Sequence, residues 1–257
     1  MKLVFHKKYY TSTYASDPAA APGRIKSIME VLEQHENLYE KITPEPASEE
    51  QILRAHTREH YNRIKRNAEL FDLASLAAGG AILAAEEAYE GNPTFAIIRP
   101  PGHHASSGSC WGFCYFNNMS ISLLELFSKG KIESAFILDF DLHTGDGNIN
   151  ILSNRNDGFK VKIQNPDGMN NMDYIQEVRR YMEDLEDVDI FAASAGFDQG
   201  KEDWGHLLTP EDYTSIGAMM KEFSEKLCKG RRYALLEGGY NHDVLGHNVQ
   251  AFCEGFE

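Results

Sequence analysis

Four short apolar runs, each followed at once by a polar cluster, constrain this chain more than any other feature. Thr94–Ile98, Ala135–Leu138, Asp189–Ala193 and Tyr233–Leu236 are largely continuous apolar segments of strand length. Apolar residues at successive rather than alternate positions fit strands covered on both faces. Helical patterns separate them at Met119–Phe127, Tyr174–Leu185 and Pro210–Leu227, the last opened by Thr209 as N-cap and Pro210 in the first turn. Strand alternating with helix predicts an α/β fold with a central, mostly parallel sheet flanked by helices. In such sheets ligands bind beyond the carboxyl ends of the strands. All four polar clusters fall there.

The rest of the chain adds elements of the same kind. Leu3–Phe5 reads as a short first strand and Lys160–Gln164 as another. Gly23–Glu36 carries Ile25, Ile28, Met29 and Leu32 at helical spacing. Glu49–Leu70 reads as two helices, and Ala-rich Leu73–Tyr89 as a covered helix whose Gly79-Gly80 pair implies close packing. Pro44-Glu45-Pro46 is a loop. With no repeat and no linker, residues 1–257 are expected to form a single catalytic domain.

Composition narrows the function classes. With 25 Lys and Arg against 39 Asp and Glu, the net charge is −14. That sign argues against direct nucleic-acid binding, and its long-range field favours a cationic substrate. Cys110, Cys114, Cys228 and Cys253 lack zinc-knuckle spacing and are expected to be free thiols. No apolar stretch is read as reaching the roughly 18 residues of a membrane span, and Met1–Tyr10 has no signal-peptide core. A cytoplasmic protein without a membrane partner is expected.

The clusters contain the parts of a metal site. Arg99-Pro100-Pro101-Gly102-His103-His104 presents two imidazoles, and Asp139-Phe140-Asp141-Leu142-His143-Thr144-Gly145-Asp146 presents three carboxylates and a third imidazole. If the strand continues, Asp141 and His143 point to one side, and Asp198 can join them. Two carboxylates and one imidazole leave a coordination position for water, as a catalytic Zn²⁺ requires. His103 and His104 take different jobs: one abstracts a proton from the water, the other stabilises the oxyanion or feeds the leaving amine. Asp139 and Asp146 are assigned to orient them. Tyr240, after Gly238-Gly239, can donate to a carbonyl oxygen, with the two glycines leaving room for substrate. Among the aromatics of Trp111–Phe116, Phe113 beside Gly112 is expected to wall the substrate channel. His56 and His60 are read as a polar surface face.

Pro-Pro-Gly-His-His, Gly-Phe-Cys-Tyr-Phe-Asn-Asn, Asp-x-Asp-x-His-x-Gly-Asp-Gly, Ala-Gly-Phe-Asp and Leu-Glu-Gly-Gly-Tyr, in this order, resemble the histone deacetylase superfamily. That superfamily includes acetylpolyamine amidohydrolases and acetoin-utilisation proteins. The resemblance implies an arginase/deacetylase-like three-layer fold and hydrolysis of an acetylated amine, such as acetyl-lysine or an acetylpolyamine. It implies Zn²⁺ (or Fe²⁺) on Asp141, His143 and Asp198, and His103 and His104 as acid/base pair backed by Asp139 and Asp146. It makes Tyr240 the carbonyl-polarising group and Phe113 a channel wall. It also implies a structural K⁺ near the backbone of Asp139, Asp141 and His143.

The chain departs from the pattern in places. Thr144 stands where many members have histidine. The segment Asn165–Asp173 is shorter than the family's Gly-rich loop and lacks its facing aromatic wall, and Asp203-Trp204-Gly205 is also reduced. The channel is therefore expected to be open on one side or completed by a second subunit in a homo-oligomer. Two other readings stay open: an arginase-like dimetal ureohydrolase, and a non-catalytic acyl-amine binder.

Overall fold

A computed structural model describes residues 1–11, 13–153 and 155–257. Seven strands form one sheet: β1 (Lys2–Val4), β2 (Glu40–Ile42), β3 (Thr94–Ala96), β4 (Ser134–Asp139), β5 (Lys160–Gln164), β6 (Phe191–Ala195) and β7 (Arg232–Leu236). Their order is β2-β1-β3-β7-β6-β4-β5, and every pairing is parallel. The central strands β3, β6 and β7 are buried at every residue. That is why they read as continuous apolar runs and not as alternating ones.

Nine α-helices accompany the sheet among the described residues. They are α1 (Gly23–Leu32), α2 (Glu49–Leu53), α3 (Arg58–Lys65), α4 (Ala68–Tyr89), α5 (Asn118–Ser128), α6 (Asp146–Leu152), α7 (Asn171–Glu183), α8 (Pro210–Cys228) and α9 (His242–Phe256). Helices α1, α7, α8 and α9 pack together in one layer, and α4, α5 and α6 with α2 and α3 in another. This is the expected three-layer α/β architecture.

Local chemistry explains the boundaries. Asn67 accepts a hydrogen bond from Leu70 N–H and starts α4 five residues before the first alanine-rich turn suggested. Thr209 and Asp212 cap α8 reciprocally, with Pro210 in its first turn. Gly79 packs as its composition implied: a Cβ there would sit 1.8 Å from the Glu45 carbonyl oxygen.

One expectation needs correction. Helix α4 has the length and apolarity of a membrane span, with mean hydropathy 1.5, contrary to the reading that no such stretch exists. Its span-like window is 72% buried inside the fold, where α5, β3 and β7 contact the helix. Among the strands and α-helices, β2, α6 and α9 escaped the sequence reading.

The strands carrying the polar clusters, β3, β7, β6 and β4, are consecutive in the sheet. Sequence positions far apart are thereby delivered to one patch at the strand ends. Beneath it Phe140 and Phe197 pack on each other at 5.8 Å between centroids, and on Phe252 of α9 at 5.3 and 6.1 Å. Each phenyl precedes a site aspartate in sequence. Its burial sets the direction in which Asp141 and Asp198 emerge.

Candidate active site

Asp141, His143 and Asp198 bring one potential ligand atom each to within 4.8 Å of one another. The convergence does not come from strand alternation, because β4 ends at Asp139. It comes from an Asx-type turn: Asp141 Oδ1 accepts the His143 N–H at 2.9 Å, and His143 Nδ1 lies 3.1 Å from both Asp141 Oδ1 and Asp198 Oδ2. Gly238 N–H donates to Asp141 Oδ2 at 2.7 Å, and Leu142 N–H to Asp198 Oδ1 at 3.0 Å. Asp198 Oδ2 is buried, and among the described residues it meets only the His143 ring, 3.1 Å away. Two buried carboxylates facing one imidazole make a donor set that fits a divalent cation.

The electrostatics agree. Burial drives Asp198 up to about 7, and the nearby charge of Asp141 adds to this. Burial also favours neutral Asp141, but His103 and the hydrogen bonds from His143 and Gly238 outweigh it and hold that carboxyl below the ordinary range. Hydrogen bonds to the two carboxylates push His143 up to about 10.

The histidine doublet lies beside the triad. His103 Nδ1 meets Asp139 Oδ2 at 3.2 Å, both fully enclosed, and His104 Nδ1 meets the more open Asp146 Oδ1 at 2.7 Å. These pairings give each imidazole one carboxylate, as the sequence required. The two rings differ in charge. Burial favours neutral His103, but Asp141, Asp139 and Glu237 overcome it and push the ring's pKa well above the ordinary imidazole value. Burial and the neighbouring His103 bring His104 down to about 4.

Tyr240 is set by its backbone: its N–H donates to Asp203 Oδ2 at 2.7 Å, and so does the Asn241 N–H at 2.8 Å. Burial drives the phenol's pKa upward, so it stays a hydrogen-bond donor. Gly238 packs against the ligand carboxylates; a Cβ would lie 2.5 Å from Asp141 Oδ2 and 2.6 Å from Asp198 Oδ2. Gly239 abuts Leu245 and Phe197. Close packing and, for Gly239, a φ of 118° exclude a side chain at both positions. Gly112 (φ 58°) touches the His104 ring, where a Cβ would come within 2.8 Å of Cδ2. Phe113 is half-buried and also left-handed at φ 61°, a conformation rare for a bulky residue and concentrated at functional sites.

The ring that covers His104 is Trp111, stacked at 3.7 Å. Trp204, from the loop after Asp198, stacks on Tyr240 at 4.0 Å and stands edge-on to His143 at 6.2 Å. The short 165–173 segment contributes no ring there and instead exposes Met169 and Met172.

Several residues that matter to the site were missed or misread. His56 and His60 are not a surface face: they are 5% and 0% exposed and stack at 4.7 Å. His56 Nε2 accepts the Asn117 N–H at 2.8 Å, and His60 Nε2 donates to the Tyr115 carbonyl at 2.6 Å, so the pair props the segment that follows Phe113. Arg24, 2% exposed, donates to the carbonyls of Glu237 and Gly239 at 2.5 and 2.6 Å and lies over the Tyr240 ring. Its place beside Ile25 on an apolar helix stripe was the available signal. Glu237 Oε2 accepts the N–H groups of Gly102 and His103 at 2.7 and 3.2 Å, tying β7 to the doublet.

A parallel α/β sheet with this polar centre at its strand ends defines a class, and the comparisons with known proteins agree on which. The histone deacetylase domain model matches residues 19–163 and 150–256. A probable deacetylase from Archaeoglobus fulgidus is 30% identical over 93% of this chain and 81% of its own length. One from Methanothermobacter thermautotrophicus is 27% identical over 99% and 90%. A polyamine deacetylase, HDAC10 of Danio rerio, is 26% identical over 90% of this chain and 39% of its own length. The crystal structure of the HDA15 HD domain superposes with a TM-score of 0.83 at 23% identity, covering 100% of this chain and 90% of that one. The chain belongs to the histone deacetylase family.

Proposed function

We propose that this chain is a metal-dependent deacetylase that hydrolyses the amide of an N-acetylated amine, of the acetyl-lysine or acetylpolyamine type. The observation that carries the reading is the convergence of Asp141, His143 and Asp198, one ligand atom each within 4.8 Å, with His104 and its Asp146 partner beside them. Asp141, His143 and Asp198 would hold the ion, with Zn²⁺ or Fe²⁺ suited to the donors. When bound, a divalent ion acidifies water and polarises a carbonyl.

The chain's own groups do the rest. Neutral His104, its Nδ1 fixed by Asp146, takes a proton from the attacking water on Nε2 and returns it to the departing amine. Protonated His103, backed by Asp139, supplies positive charge next to the reacting carbonyl. Tyr240 donates its hydroxyl proton as a hydrogen bond to the acyl oxygen as negative charge develops there. Trp111 and Asp146 keep the His104 ring from turning.

The dimetal alternative needs a second ligand set sharing a carboxylate with the first. Among the described residues the other His/Cys/Glu group, His103, Cys114 and Glu237, shares none with Asp141, His143 and Asp198.

Acetate release from an acetyl-lysine peptide and from an acetylpolyamine tests the reading. His104→Ala and Tyr240→Phe should each lower kcat by about 100-fold or more with an unchanged circular dichroism spectrum. Undiminished turnover in both, or two ions per chain in the active protein, would refute it.

A further inference from the structure

Three successive backbone N–H groups of the doublet loop act on two buried side chains outside the catalytic pairings. Gly102 and His103 donate to Glu237 Oε2 at 2.7 and 3.2 Å. Burial pushes the Cys114 thiol up, and the next N–H along the loop, that of His104, pulls it back toward the thiolate. Cys114, Glu237 and the His103 ring bring one potential ligand atom each to within 4.8 Å of one another. They are 1%, 0% and 3% exposed. Glu237 Oε1 is enclosed and has no hydrogen-bond partner among the described residues, a state that native folds seldom leave unused.

The set is held by its surroundings. A Cβ at Gly102 would lie 2.6 Å from the Asn118 backbone nitrogen, so the loop is pressed onto the start of α5. Asn118 Nδ2 donates to the Pro100 carbonyl at 3.1 Å and Asn117 Nδ2 to the Ala105 carbonyl at 2.9 Å, which pins the loop on both sides of the doublet. Cys114 N–H donates to the Trp111 carbonyl at 3.0 Å, and Arg24 holds the Glu237 carbonyl at 2.5 Å. Outer hydrogen bonds of this kind orient the ligands of metal centres. Countering a charge on His103 would account for Glu237 alone. It leaves the converging thiol unexplained.

Thiolate, imidazole and carboxylate are Zn²⁺ donors, and the sulfur makes this set softer than Asp141, His143 and Asp198. We propose that His103, Cys114 and Glu237 form a second divalent-cation site, of the kind that takes Zn²⁺, and that filling it switches the catalytic centre off. The site stands on its own donors; its effect on turnover rests on the deacetylase reading. The thiol proton leaves to solvent as the ion binds. His103 is the shared part, since its Nε2 also lies 3.8 Å from Asp141 Oδ1. An ion on that imidazole withdraws it from the reacting carbonyl. Two ions would therefore occur together only in inactive protein, unlike the bridged pair of a dimetal hydrolase.

Co²⁺ distinguishes the two sites, because a thiolate ligand gives an intense near-ultraviolet charge-transfer band that oxygen and nitrogen ligands do not. Metal-stripped protein is titrated with Co²⁺ while acetate release is followed. The first equivalent should bring turnover without the band. The second should bring the band and cut turnover by about tenfold or more. Cys114→Ala should bind one equivalent, show no band, and lose none of its own one-ion turnover when more Co²⁺ or Zn²⁺ is added. Cys114→Ser, closer in shape and equally unable to give the band, serves if the alanine variant does not fold.

A natural protein that shows no band up to saturation overturns the proposal. So does a band that persists in the Cys114 variants, which would place the ion on another thiol, or a band that grows in with turnover undiminished. None of these touches the deacetylase reading, which the one-ion turnover tests. The band in the natural protein, lost in the variants, with no acetate released at any loading would sink that reading and leave the second site standing.

Discussion

Single residues show best where local chemistry is visible in sequence and where it is not. The candidate ligands Asp141, His143 and Asp198 were legible because their types suit a metal site whatever the exact backbone path. The reason given for their convergence was only partly right, since a side-chain-capped turn and not strand alternation brings Asp141 and His143 together. His56 was illegible because a histidine with both ring nitrogens satisfied by backbone looks, in sequence, like any surface imidazole. Its Nδ1 contacts the Ser106 carbonyl at 3.1 Å and its Nε2 the Asn117 N–H. Burial, with His60 adding to it, lowers it from 6.5 to about 3. Since the folded value lies below the unfolded one, the unfolded chain holds the extra proton between these values, and acid erodes stability there. In urea titrations near pH 7.5, His56→Gln should cost about 2 kcal/mol for the two lost bonds. The gap to the natural chain should narrow by about 2 kcal/mol on going to pH 5, because only the natural chain loses the neutral-imidazole contribution. A gap independent of pH would mean that His56 is not held neutral.

At the scale of elements, the apolar runs gave β3, β4, β6 and β7 because strands buried on both faces leave a continuous signature. Strand β2, Glu-Lys-Ile at the sheet edge, leaves none: its residues are exposed or half-covered. Helix α9 was hidden for a different reason. Its sequence mixes His242, His247 and Asn248 with apolar residues, and only the structure shows it wedged against α1 and α8. It matters to the site through Phe252, fully buried against Phe95, Phe140 and Phe197. Phe252→Ala should destabilise the fold by about 3–5 kcal/mol through lost transfer energy and the cavity left behind. The cavity would open beneath the two segments that carry Asp141 and Asp198, so metal affinity should fall as well. Measuring both the urea midpoint and zinc affinity checks this, and a destabilised variant with unchanged affinity would show that the phenyl layer supports the fold without setting the ligands.

The whole molecule is where sequence reading stops short: nothing in the order of the runs says that β7 lies between β3 and β6. That arrangement gathers Asp139, Asp141, Asp198 and Glu237 into one buried centre, each no more than 3% exposed, in a chain already at −14. Among the described residues two histidines contact these carboxylates, His103 with Asp139 and Asp141, and His143 with Asp141 and Asp198. Enclosed like charges cost stability unless a counter-charge joins them. A bound divalent ion should therefore stabilise the folded state as a whole, by about 2.7 kcal/mol when free metal is a hundredfold above Kd. For a chain of this size that corresponds to a rise in Tm of about 5–10 °C, reversed by a chelator. Asp198→Asn separates the two halves of the argument. Removing one enclosed charge should leave the metal-free protein at least as stable as the natural chain, while the metal-induced rise disappears. Calorimetry with and without zinc on both proteins decides it: an ion-free Asp198→Asn protein that melts well below the natural one would mean that the carboxylate serves the fold more than the ion.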